Sequence, residues 1–154
     1  FVDPPPERCY SHGPSQPMCH ATFLATSKAA PLVDLRQDVW LGIMTLDARH
    51  TAVAAHFPAD WFVYYVASHS GCSCGFHSAD VLSDDEPYND QSRQALAAYL
   101  SRLQLDTDRN IALYDCWEGD EGLEVQHHAR GSPDQLAQLP DPVPERTLVV
   151  VVRP

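Results

Sequence analysis

Two runs of this chain, WFVYYVAS at 61–68 and TLVVVV at 147–152, are unbroken in apolar, β-branched and aromatic residues. Runs of this length and make-up are strands. The first reads as buried on both faces and the second as lying in the middle of a sheet. Five more segments have strand character: MCHATFLAT (18–26), VWLGIMTL (39–46), TAVAAHF (51–57), NIALYDCW (110–117) and LEVQHHA (123–129). Alternation puts Ala112, Tyr114 and Cys116 on one face of their strand and Ile111, Leu113 and Asp115 on the other. It likewise puts Leu123, Val125, His127 and Ala129 on one side of theirs.

Helical spacing is clear in one place. Leu96, Tyr99, Leu100 and Leu103 recur at i, i+3, i+4 and i+7 after a cap at Asn89 or Asp90, which predicts a main helix near 90–105. Ser132-Pro133-Asp134-Gln135 is a capping box that opens a short helix near 133–139, closed by Pro140, Pro142 and Pro144. The expected fold is a single α+β domain over 18–154, with a mixed or mainly antiparallel sheet and the main helix over one face. Residues 1–17 hold five prolines and no apolar period, and are expected to form an irregular arm. Met18 is then the expected start of folding and a candidate initiator, whose removal would leave Cys19 at the amino terminus.

At 154 residues and 44% hydrophobic the chain supports one core. It carries 21 acidic against 10 basic residues, a net charge of −11, and a single lysine, Lys28. That surface repels phosphate backbones and anionic lipid, so neither nucleic acid nor membrane is an expected partner. No apolar run approaches the ~18 residues of a spanning helix. Five cysteines, Cys9, Cys19, Cys72, Cys74 and Cys116, are scattered and odd in number, and no secretory signal opens the chain. The expected location is cytoplasmic, where cysteines serve as core filler, ligands or reactive thiols.

The segment HSGCSCGFH, His69 to His77, carries the densest chemistry. As a metal site it offers His69, Cys72, Cys74 and His77, though one short loop closes a tetrahedron poorly. Cys72 and Cys74 joined by Cys116 and Cys19 make a better set for zinc, copper(I) or iron. As a redox site it has exposed thiols beside two histidines, and a Cys-x-Cys disulfide would be strained. As a hydrolase turn, Gly71-Cys72-Ser73-Cys74-Gly75 satisfies G-x-S-x-G, with Asp115 or Asp120 and His127 or His128 following in order. Against that, Ser68-His69-Ser70 separates strand from glycine. The plain reading is a tight glycine turn filled by small residues.

Cys116-Trp117-Glu118-Gly119-Asp120 ends its strand in a turn. Its functional reading places Trp117, Glu118 and Asp120 around a site facing the cysteine turn. His127 and His128 fall on opposite faces of a strand, one expected in the core and one outside. His50 and His56 chelate poorly as strand neighbours. Asp84, Asp85, Glu86 and Asp90 lack calcium-loop spacing.

Met18-Cys19, Tyr64-Tyr65 with Gly71-Cys72-Ser73-Cys74-Gly75-Phe76, and Cys116-Trp117-Glu118-Gly119-Asp120 together resemble a group of small uncharacterised bacterial proteins. That group has a leading Met-Cys, a GCxCGF turn after a VYY-type strand and a CWEGD-like strand end. The resemblance spans about residues 18–153 and implies no activity. It centres on Cys19, Cys72, Cys74 and Cys116 rather than on His69 and His77. Metal binding is the leading expectation, with Glu118 and Asp120 as outer groups. The alternative is a protein-interaction module that uses Trp61, Tyr64 and Tyr65 or the acidic face.

Overall fold

The computed structural model describes residues 19–77 and 86–154. The proline arm, Met18 and most of the acidic loop, including Asp84 and Asp85, lie outside the described residues. The fold is α+β. Six strands, β1 (His20–Thr26), β2 (Leu41–Thr45), β3 (Phe62–Ser68), β4 (Ile111–Trp117), β5 (His127–Gly131) and β6 (Thr147–Val151), form one sheet in the order β2-β3-β1-β4-β6-β5. All pairs are antiparallel except β5 with β6. Among the described residues two α-helices accompany them, α1 (Glu86–Leu103) and α2 (Pro133–Gln138).

Alternation along the inner strands builds two cores. Leu24, paired with Tyr64 and Leu113, faces α1 and packs with Val66, Leu96, Leu100 and Val149. Phe23, paired with Tyr65 and Tyr114, faces the other way with Ala67 and Cys116, beneath Val53 and Phe57. Burying a side chain such as Leu24 or Phe23 stabilises the fold by roughly 1.5–3 kcal/mol. β1 therefore lies at the middle of the sheet, buried along its whole length. Among the described residues no helix is long and apolar enough to cross a membrane.

Several elements depart from the sequence reading. TAVAAHF is not a strand: Thr51–His56 is a 3-10 helix, and Val53 within it and Phe57 just after it are buried while the alanines between them are exposed. That i, i+4 spacing and a run of alanine, which strands disfavour, are helical features. β5 begins four residues later than expected. It is an edge strand, and His127 and His128 are both exposed because β6 is its one strand neighbour in the sheet. α1 starts at Glu86, so Asn89 is a buried residue within the helix and not its cap. The apolar stripe of α1 is buried as its spacing requires, and the capping box of α2 is complete, with Gln135 N–H to Ser132 Oγ at 3.3 Å and Ser132 N–H to Gln135 Oε1 at 2.9 Å.

Candidate functional site

The sheet is split at one end, and HSGCSCGFH fills the split. β1 and β3 pair only as far as Thr22↔Val66, although both strands run further, to His20 and Ser68. Ser73 enters the gap, its Oγ donating to Val66 O at 2.7 Å and accepting from Thr22 N–H at 2.7 Å. Cys74 Sγ accepts from His20 N–H at 3.3 Å. A side-chain hydroxyl and a thiol thus replace the missing backbone ladder. Ser68 closes the loop on itself, its Oγ donating to Cys72 O at 2.6 Å and accepting from Gly75 N–H at 3.1 Å. A Cβ on Gly75 would lie 2.4 Å from that Oγ, and Gly71 turns with φ +81°. α1 braces the loop from outside through Ser92, whose Oγ lies 3.1 Å from His69 N and 2.9 Å from His69 Nδ1.

The split brings three thiols together. The Sγ atoms of Cys19, Cys72 and Cys74 all lie within 4.8 Å of one another, with Cys72 buried and the other two half-buried. Cys19 is held at the strand entrance by Glu118 N–H, which donates to its carbonyl at 2.8 Å. Burial pushes the Cys19 thiol above its ordinary pKa, and negative charge on Cys72 or Glu118 pushes it further. Cys74 is raised by its hydrogen bond with Cys72, then by burial and by charge on Cys72. Burial and negative charge on a neighbouring sulfur thus both favour the protonated thiols of Cys19 and Cys74.

Cys116 does not join them. It pairs with Ala21 and is fully buried in the core on the opposite face of β4, where burial pushes its thiol pKa up. A pleat of one residue decides this, and it brings Asp115 to the face where His20 and Thr22 lie.

Around Asp115 is a second cluster. Its Oδ2 accepts from His20 Nδ1 at 2.8 Å, and its Oδ1 accepts from Thr22 Oγ1 at 2.7 Å and from His77 Nε2 at 3.2 Å. His77 Nδ1 donates to Asp141 Oδ1 at 2.5 Å. Burial, the largest single influence on His77, favours the neutral ring, but hydrogen bonds and charge from Asp115 and Asp141 together outweigh it and raise its pKa to about 9. The His20 ring is sandwiched, 4.0 Å from His77 and 4.0 Å from Trp117.

The remaining expected residues fall into place around these two clusters. Trp117 is a wall of the site. Glu118 is exposed near Cys19, and Gly119 and Asp120 form a turn, with φ +98° at Gly119 and Asp120 N–H donating to Trp117 O at 3.0 Å. Ser73 is fully buried and tied to backbone on both sides, with no histidine hydrogen bonded to it among the described residues. That geometry suits a structural tie and not a nucleophile. His50 and His56 do converge, on Glu121: His50 Nδ1 meets its Oε1 and His56 Nε2 its carbonyl, each at 2.7 Å. Tyr64 and Tyr65 are buried in the two cores, so β3 offers no aromatic patch from this pair.

His20, Thr22 and Asp141 escaped the sequence reading of the site, and Asp115 entered it only as a candidate acid of the hydrolase reading. The available signal was polarity out of place, with His20, Thr22 and Asp115 interrupting otherwise apolar strands. No protein-family model, curated protein or solved structure matches this chain.

Proposed function

We propose that this protein binds a soft or borderline metal ion, zinc or copper(I), through the thiolates of Cys19, Cys72 and Cys74. One observation carries the reading: three sulfur atoms from two distant segments lie within 4.8 Å of one another. Thiolates around a tetrahedral zinc with bonds of ~2.3 Å stand about 3.8 Å apart, so a small contraction completes the shell. Sulfur donors select zinc and copper(I) over magnesium or calcium. Among the described residues no fourth Cys, His, Asp or Glu donor belongs to this group. Three ligands suffice for trigonal copper(I), while zinc would keep a position for water or substrate, the arrangement of working rather than purely structural zinc sites.

Support comes also from the loop, whose tight closure fixes Cys72 and Cys74 before any ion arrives. The residues behind the resemblance to the small bacterial proteins include all three thiols, and membership of that group belongs to this proposal. So does a reducing, cytoplasmic setting, which would keep the thiols available.

The test is elemental analysis with thiol titration on protein purified without air or chelator. About one equivalent of thiol-dependent zinc or copper is expected, the part of the metal content that is lost in Cys19→Ser and in Cys72→Ser and retained in Cys116→Ser. Metal-free protein whose three thiols stay unoccupied when either ion is supplied would overturn the reading.

A further inference from the structure

Directly beside the thiols, β1, β4 and the end of the cysteine loop gather His20, Asp115 and His77. All three are buried, and one nitrogen or oxygen of each lies within 4.8 Å of the others. We propose that these residues form a second cation site, built of nitrogen and oxygen donors, that takes a borderline divalent transition metal such as zinc, cobalt(II) or iron(II). The proposal stands independently of any metal at the thiols.

Three features of the geometry support it. The donor set, two imidazoles and a carboxylate, is one that first-row divalent metals take with coordination positions to spare. The nitrogen-to-oxygen separations, 2.8 Å from His20 Nδ1 and 3.2 Å from His77 Nε2 to Asp115, are those of neighbouring ligands about 3 Å apart around an ion with ~2.0–2.1 Å bonds. Outer partners are already present. His77 gives its other ring nitrogen to Asp141, and Asp115 accepts from Thr22 Oγ1. Metal-binding histidines and carboxylates are oriented by such partners.

Binding exchanges protons for the ion. The proton on His77 Nε2 leaves to solvent, the ring proton of His20 moves by exchange with solvent from Nδ1 to Nε2 so that the ring stays neutral, nothing is oxidised or reduced, and His77 keeps its bond to Asp141. In the hydrogen-bonded form the two rings stack 4.0 Å apart with 22° between their planes. Metal binding turns their edges toward the ion about Cβ–Cγ. That motion disrupts the contact of His20 with Trp117, whose rings lie 4.0 Å apart and tilted by 32°, so Trp117 reports on it.

Cobalt(II) titration separates this site from the thiol cluster, because only sulfur ligation gives thiolate charge-transfer absorption. Wild-type protein is expected to take two equivalents, one with that absorption and one without. The Cys19→Ser, Cys72→Ser, Cys74→Ser triple variant should keep only the second. His77→Gln should lose that second equivalent, together with a fluorescence change that is absent in Trp117→Phe. Asp141→Asn, which alters a side chain 39% exposed, should fold normally and bind the second ion about 10–100-fold more weakly. The proposal fails if wild-type protein takes no equivalent lacking the sulfur band, or if such an equivalent survives His77→Gln and Asp141→Asn with unchanged affinity. Absence of the sulfur band alone would instead count against the thiol reading.

Discussion

His77 is the residue at which burial and charge compete most directly. Its imidazole is 2% exposed yet lies between two carboxylates, Asp115 and Asp141, and they raise its pKa from 6.5 to about 9. A folded-state pKa above the unfolded value contributes stability that is complete below about pH 6.5 and is lost as pH rises through about 9. The contribution at its fullest is on the order of 3 kcal/mol. Denaturant unfolding of metal-free protein should therefore show stability falling between about pH 6.5 and 9.5. His77→Gln should be less stable at pH 6 and lack that part of the slope, and parallel pH profiles for the two proteins would contradict the assignment. Residue type alone drew attention to Cys19, Cys72 and Cys74. It misjudged Cys116, left His20 unread and offered Asp115 only as a hydrolase acid, because the meaning of His20 and Asp115 depends on their facing one another across β1 and β4, 95 residues apart in the chain.

At the scale of elements, the cysteine loop is determined by its fit into the split between β1 and β3. Its two glycines serve different purposes, which a pair of substitutions separates. A Cβ at position 75 would meet Ser68 Oγ at 2.4 Å and the His69 ring at 2.6 Å, whereas at position 71 it would meet nothing within 4 Å and strain only the backbone, at φ +81°. Gly75→Ala is expected to cost about 1–3 kcal/mol by overpacking and to weaken metal binding, because Ser68 and His69 must move and the thiols with them. Gly71→Ala should cost about 1–2 kcal/mol from the left-handed backbone alone and leave metal binding intact. Equal effects of the two on metal affinity would refute this division. The helices were legible from spacing and caps, which are local. TAVAAHF was misread as a strand although Val53 and Phe57 already stood at helical spacing. β5 was misplaced because an edge strand has little burial pattern to read.

For the whole molecule, the decisive feature is that β1 lies between β3 and β4. This order puts Cys19 beside the loop that follows β3 and puts His20 opposite Asp115 of β4, so both clusters arise from one strand end. At the same end β1 and β3 are joined by side chains rather than by ladder bonds. Hydrogen exchange should find the Phe23–Thr26 amides among the slowest in the protein, because that stretch is paired on both sides, and the His20 and Thr22 amides faster. Metal loading should slow His20 and Thr22 selectively. Uniform protection along β1, unaltered by metal, would show that the split end is not a distinct unit.

The sequence by itself determined the α+β class, the inner strands, the two helices with their stripe and capping box, and the presence of a glycine-bounded cysteine turn. These follow from periodicity, caps and backbone freedom, all of which act over a few residues. Only the tertiary structure decided which chemistry meets at that turn. Strand order and pleat set the partners of Cys19, sent Cys116 to the far core, and turned Asp115 toward two histidines. Strand order and pleat depend on contacts between residues far apart in the chain, and no local pattern encodes those contacts.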